Sequence, residues 1–340
     1  MSLKIILCYH WSPYQNITAL KKFIKHYKKY KAGIKHSLII CFKNIEKKKI
    51  KLIQKKYLTN LEYTLFIDPE KKNDFDFGSY LRVAKKYPRS KIFFCNSQSN
   101  PIVNKWLYKI DRKFKNKTII ACFGSYQSLS SNSLYRNQSD NYFIFFCKII
   151  YFHLYFKRFP NPHLRSSAFY MKARDFIEYM KDKIISAAPI IREGDKHPYA
   201  WYKGKFDIFK MESGRSSLTE YFKKKNYKLF VINSKGDLYS EANWRDSNTY
   251  ATNDQKYRMF LDKHTTRFSK FTKNQKKRFQ MKIWGPCSQR QRILCGKFRR
   301  DCCQNKQPVM NLSQIKESDG QMKLRTKKMH SGQRNIIENF

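Results

Sequence analysis

The sequence predicts an α/β fold in which a mostly parallel central sheet is flanked by helices. Strand-like and helix-like patterns alternate at short spacing through the N-terminal half, which is the signature of βα units. The first strand is a continuous apolar run of the kind a buried strand carries. With 340 residues, 41% hydrophobic and 16% aromatic, the chain is large enough to bury a substantial core, and disorder of the whole is excluded.

Leu3–Tyr9 is the first predicted strand, and Thr18–Tyr30 follows as a helix, with Leu20, Phe23, Ile24 and Tyr27 at helical spacing. Ser37–Phe42 reads as the second strand and Leu65–Ile67 as a short third. After Phe77-Gly78 comes a helix, Tyr80–Lys86, closed by Pro88. Lys91–Cys95 and Thr118–Phe123 are further strands. Phe159-Pro160-Asn161-Pro162-His163 is a rigid, non-helical connector. It leads into a strand-like Ser167–Lys172 and a helix beginning at Asp175. Gly214–Asn226 reads as a helix opening on a polar turn, Lys228–Asn233 as a strand, and Lys235-Gly236-Asp237 as a turn. Residues 252–284 are weakly helical.

Past Gly285 the composition shifts: residues 286–340 hold no Tyr and are rich in Gln, Arg, Cys and Ser. The expected organisation is therefore one domain over 1–285 and an appended, disordered basic tail over 286–340. A shifted reading frame would produce the same abrupt change.

Seventy-one Lys and Arg against 25 Asp and Glu give a net charge of +46. An anionic partner, nucleic acid or lipid, is one reading. The other is compositional drift, because Lys, Asn, Ile, Phe and Tyr, all encoded by A/T-rich codons, are abundant together. Basic residues such as Lys21, Lys25 and Lys28 are spread over a helix face, as a solvated surface would have them. Cys8, Cys41, Cys95, Cys122 and Cys147 sit singly in apolar runs, where Cys behaves as a small core residue. Cys287, Cys295, Cys302 and Cys303 lack the paired spacing of a zinc site. Lys4 and His10 interrupt the only short apolar run near the start, so no secretory leader is read and a reducing cytoplasm is expected. Tyr142–Phe156 is the most apolar stretch, but it is shorter than the ~20 residues a spanning helix needs. It is expected as a buried core helix, with an aromatic segment dipping into a membrane interface beside Lys157 and Arg158 as the alternative.

Chemistry is expected beyond the carboxyl ends of the parallel strands. Asp76-Phe77-Gly78 opens a helix there, where a glycine admits close approach of a phosphate and the amides favour anions. Asn96-Ser97-Gln98-Ser99 ends the following strand, and the same residues also make an ordinary strand-to-helix turn.

At this point the chain resembles inverting glycosyltransferases of the GT-A-like (nucleotide-diphospho-sugar transferase) fold. The likeness rests on Gly78 and its helix, the F-F-C-N-S-Q-S strand end and Trp106-Leu107. More closely it is similar to a bacterial group of glycosyltransferases linked to polysaccharide synthesis. The shared segments are Ala32–Lys43 (A-G-I-K-H-S-L-I-I-C-F-K), Phe75–Leu81 (F-D-F-G-S-Y-L), Phe159–Phe169 (F-P-N-P-H-L-R-S-S-A-F) and Met211–Thr219 (M-E-S-G-R-S-S-L-T). The resemblance runs from about Lys4 to Gly285.

The resemblance implies a nucleoside-diphosphate sugar as donor and a glycan or lipid-linked acceptor. Asn96 and Gln98 fall where such enzymes carry the aspartates that hold Mg²⁺ or Mn²⁺. Neutral amides are poor ligands for these ions, so metal dependence is left open. Arg165 and Arg215 are expected to stabilise the leaving diphosphate. Glu212 is the expected base on the acceptor side, or else a helix N-terminal acid paired with Arg215. His163 is a donor or acceptor contact, Asp76 a ribose contact or a cap, and Tyr9 a nucleobase platform or a core residue. Two other classes remain: a basic nucleic-acid-binding protein, which would lack any recognisable reading motif, and a catalytically inactive glycan-binding relative.

Overall fold

Strand β1 (Lys4–Trp11) is buried continuously from Ile5 to Trp11, as the centre of a sheet covered on both faces requires. Helix α1 (Ile17–Lys29) follows. Asn16 caps it by accepting the Thr18 amide at 2.9 Å, and Leu20, Phe23 and Ile24 turn inward. Two more βα units come next: β2 (Ser37–Phe42) with α2 (Lys47–Tyr57), then β3 (Thr64–Ile67) with α3 (Phe75–Lys86). The chain continues through β4 (Ser90–Cys95), β5 (Asn100–Pro101), α4 (Trp106–Lys113), β6 (Thr118–Ala121), β7 (Gly124–Ser125) and α5 (Leu129–Asn132). Then come α6 (Tyr142–Tyr155), β8 (His163–Leu164), β9 (Ala168–Lys172), α7 (Ala173–Met180), α8 (Lys205–Ser213) and α9 (Leu218–Lys224). The last elements are β10 (Lys228–Ile232), β11 (Leu238–Tyr239), β12 (Phe260–Leu261), α10 (Lys263–Ser269) and α11 (Lys273–Trp284). This computed structural model describes residues 3–12, 16–132, 142–185 and 204–285. The chain partitions into Met1–Gln289 and Arg290–Phe340. The tail expected at 286–340, with its four cysteines, lies outside the described residues.

The α/β class expected from the sequence is the class found. Eight strands form the sheet in the order β11-β10-β6-β9-β4-β1-β2-β3. β3, β2, β1 and β4 are mutually parallel, and so are β6 and β10. β9 lies between β4 and β6, antiparallel to both. The parallel strands therefore end on one edge, and β9 begins on that same edge, with Ala168 opposite Cys95. This register brings the loop before β9 to the ends of β4 and β6.

Aromatic packing fills both faces. Tyr9 stacks on Phe23 with centroids 3.7 Å apart, and Phe94 meets Phe169 at 4.9 Å and Phe176 at 4.7 Å. The five described cysteines are free thiols, four of them buried in the core.

Three expectations change. Helix α3 begins at Phe75, five residues before the expected start, and so contains Gly78. Glu212 sits at the end of α8, not near the start of a helix; Gly214 follows α8 as its C-terminal cap, and the next helix opens only at Leu218. Helix α6 is not a buried core helix, for Phe146, Ile150 and Leu154 are exposed. Tyr151, Phe152, Tyr155 and Phe156 pack against Phe206 of α8.

Candidate active site

Two of the sequence motifs, Phe159–Phe169 and Met211–Thr219, are stitched together side by side. Asn161 Nδ2 donates to Ser213 O at 2.7 Å, the Leu164 amide to Thr219 Oγ1 at 2.9 Å, and the Ser166 amide to Glu212 Oε1 at 3.0 Å. Gly214 is needed at the corner, because a Cβ there would lie 2.5 Å from Lys210 O. Ser217 caps α9, its Oγ accepting the Glu220 amide at 3.4 Å, and this fixes Thr219 beneath the loop.

The stitched segment is tied to the sheet edge in turn. The Arg165 amide donates to Phe123 O at 3.0 Å, just past β6. Ser167 O accepts both the Asn96 amide at 3.1 Å and Ser99 Oγ at 2.8 Å, just past β4. Ser167 Oγ reaches Asp262 Oδ2 at 3.4 Å. Asp262 also caps α10, with Oδ1 accepting the Thr265 amide at 2.7 Å. The result is a polar cluster beyond the carboxyl ends of β4 and β6, where ligands of open α/β sheets bind.

Arg165 is the centre of this cluster. Its guanidinium lies over the Tyr250 ring, 4.9 Å from the centroid, and its buried Nε has no hydrogen-bond partner among the described residues. Burial opposes its charge, but Tyr250, Glu212 and Asp262 hold the guanidinium protonated and raise its pKa overall. Burial pushes Asp76 up to about 7, and the nearby Glu212 adds to the rise. Burial lowers His163, partly offset by Glu212, while Arg165 pushes it further down. His264 falls to about 4 through burial and then the Arg165 charge. Both imidazoles are therefore neutral at neutral pH, while Asp76 is poised between its two forms.

Five of the expected residues thus gather at one rim: Asp76, Asn96, His163, Arg165 and Glu212. Asn96, however, is turned into its own loop. Its Oδ1 accepts the Gln98 amide at 3.2 Å and Ser99 Oγ at 2.8 Å, closing an Asx turn. Asn96 and Gln98 are neutral amides, and Asn96 Oδ1 already accepts two hydrogen bonds, so the pair is a poor match for Mg²⁺ or Mn²⁺, which favour carboxylates. Among the described residues no group of three His, Cys, Asp or Glu is placed to hold a metal ion.

Three expectations are corrected by placement. Tyr9 has no exposed face for a nucleobase; it is fully buried, and its hydroxyl donates to Ser97 O at 3.0 Å. Gly78 makes room for this chain's own carboxylate and not for a phosphate. A Cβ there would sit 2.0 Å from Asp74 Oδ2, and the Gly78 amide already donates to Asp74 O at 3.2 Å. Asp74 cannot give way, since Lys43 Nζ holds it at 2.6 Å and Arg82 Nη1 at 2.7 Å. Arg215 points away from Glu212: its Nη2 donates to His153 O at 3.2 Å, capping the last turn of α6. Glu212 consequently faces Ser166 and not Arg215.

Tyr250, Asp262 and His264 belong to the cluster but were not singled out in the sequence. The one local signal was the Asp262-x-x-Thr265 capping box at the start of α10. It marks a helix start and carries no hint of what lies across from it.

No family model matches the chain, and no curated protein matches it. Among solved structures, it is similar to an apo WbbM bifunctional glycosyltransferase at 8% identity, over 53% of this chain and 34% of that one, with a TM-score of 0.32. HddC from Yersinia pseudotuberculosis is 11% identical over 64% of this chain and 96% of that one, with a TM-score of 0.33. Mouse xyloside xylosyltransferase 1, apo form, is 10% identical over 53% and 69%, with a TM-score of 0.32. The chain spans about a third of the length of the WbbM structure. Glycosyltransferases recur among these neighbours, but overlaps this loose bear on no residue's role.

Proposed function

We propose that this chain is a glycosyltransferase that moves a sugar from a nucleoside-diphosphate donor to a glycan or lipid-linked acceptor in surface polysaccharide synthesis. One observation carries the reading. Two of the motifs behind the glycosyltransferase resemblance, remote in sequence, meet by three hydrogen bonds and set the Glu212 carboxylate near Arg165, whose buried Nε has no partner among the described residues.

The chemistry fits that pair. In a single inverting displacement the acceptor oxygen bonds to the anomeric carbon as the bond to the diphosphate breaks. The acceptor's proton passes to a carboxylate, and the departing diphosphate gains charge. Glu212 is the base in this scheme. Its Oε1 is held by the Ser166 amide, which orients the carboxylate, and its other oxygen takes the proton. Arg165, with its buried Nε unpaired, offers its guanidinium to the diphosphate. Asp76 shares the proton-holding side of the site, since burial and then the nearby Glu212 raise its pKa. No step is routed through a metal, because Asn96 and Gln98 are a poor match for one.

Calorimetry with uridine, guanosine and thymidine diphosphate sugars tests the donor, and a transfer assay tests Glu212. Glu212→Gln is expected to reduce turnover by about 10²–10⁴-fold with donor affinity nearly intact. If no donor binds while RNA binds tightly and salt-sensitively, the protein is a nucleic-acid binder. Donor binding without transfer to any acceptor marks an inactive relative.

A further inference from the structure

Helix α6 is unusually apolar for a surface helix, with Lys148 and His153 the charged or imidazole-bearing residues of its sequence. Among its described side chains Phe146, Cys147, Ile150 and Leu154 are exposed, with Leu154 at 64% and Phe146 at 61% of full accessibility. Tyr151 and Tyr155 border this surface, their rings edge to face at 4.9 Å and partly covered by Phe206 of α8 at 4.6 and 5.6 Å. Phe152 and Phe156 on the other side meet Phe206 of α8, with centroids 5.7 and 5.5 Å away. His153 is the one polar side chain among those described, and its Nδ1 is occupied by Ile149 O at 2.8 Å. A helix with this much exposed apolar surface calls for a core or lipid to cover it. At 14 residues, or about 21 Å, α6 is too short to span a bilayer. No helix among the described residues is long and apolar enough to cross a membrane.

The rim of this face is basic. Lys157 and Arg158 follow α6, Lys205 and Lys210 lie on α8, and Arg215 follows α8; Lys157 pairs with Glu220 at 2.5 Å and Lys210 with Asp207 at 2.7 Å, while Arg158 and Arg215 are exposed at the border. Arg215 is exposed and anchored on the C-terminal turn of α6 through His153 O at 3.2 Å. The Lys210 ammonium lies 5.0 Å from the Tyr155 ring centre, holding a cation at the apolar border. Apolar and aromatic side chains inside a cationic border, on a chain of net charge +46, match a membrane surface bearing anionic headgroups.

We infer that the exposed face of α6 lies in the plane of an anionic phospholipid surface, with Phe146, Ile150 and Leu154 entering the acyl boundary and Arg158 and Arg215 at the headgroups. The occupant is lipid and not a second copy, because like-charged cationic borders would oppose each other across a two-fold interface.

The full chain would be sedimented with vesicles of phosphatidylcholine alone and with about one-third phosphatidylserine. Binding is expected only to the anionic vesicles. The neutral double variant Ile150→Ser/Leu154→Ser should bind at least tenfold more weakly with an unchanged melting temperature, since both side chains are exposed. Two outcomes overturn the inference. Equal binding of the variant would mean that net charge alone drives association. A wild-type dimer that ignores vesicles and is dissolved by the variant would make the face a contact between copies. Neither readout uses sugar transfer, so the test stands apart from the proposed activity.

Discussion

Asp76 shows how a single side chain couples stability to the proposed chemistry. Its folded-state pKa is raised from 3.8 to about 7 by burial and Glu212. Between those values the native state binds a proton that the unfolded state has released, so stability falls as pH rises from about 4 to 7. Asp76→Asn removes that dependence. The variant should match the wild type near pH 4 and be more stable than it at pH 8. Urea titrations across that range check it, and equal pH slopes for the two proteins would show Asp76 to be an ordinary carboxylate. Glu212 breaks a local rule as well. An acid in the last turn of a helix opposes the macrodipole, and such conflicts are expected at functional sites.

At the scale of elements, the site depends on α8 and α9 clamping the loop between β8 and β9. Thr219 Oγ1 is the buried clamp, accepting the Leu164 amide. Thr219→Val keeps the shape and removes the acceptor, leaving an amide buried without a partner at a cost of about 1–3 kcal/mol. Chemical denaturation should show that loss, and turnover should fall with it, because Arg165 lies one residue beyond Leu164. Thr219→Ser should recover both. A loss of stability with turnover per folded molecule unchanged would separate the clamp from the site. Helix α3 is set by a different device. The buried ion-pair group of Lys43, Asp68, Asp74 and Arg82 locks its first turn against β2 and β3, which keeps Asp76 facing the rim.

Over the whole molecule, the described fold closes on α11. Ile283 and Trp284 are buried; Ile283 O accepts the Tyr126 amide at 3.1 Å, and Trp284 Nε1 donates to Tyr250 O at 3.0 Å. Tyr250 in turn carries Arg165 on its ring. Truncation after Gly285 is expected to leave the melting temperature of the domain unchanged. Truncation after Phe271 should cost several kcal/mol, since removing buried aromatic and aliphatic side chains costs about 2–5 kcal/mol each. Calorimetric scans of the two chains distinguish the outcomes, and early melting of the longer one would move the domain boundary past Gly285.

Local pattern was enough for the α/β class and for most strands, since an apolar run or a helical spacing records which side of an element is buried. The motifs around Arg165 and Glu212 came from the family resemblance and not from pattern. Pattern could not show that β9 would enter between β4 and β6, and that insertion is what brings residues 163–167 to the strand ends. Nor could it tell that Gly78 yields space to Asp74, that Arg215 caps α6, or that Asp262 and His264 face Arg165. Periodicity senses burial within one element, whereas these partners lie 4 to 99 residues apart in the chain, and only packing between elements decides which side chains meet.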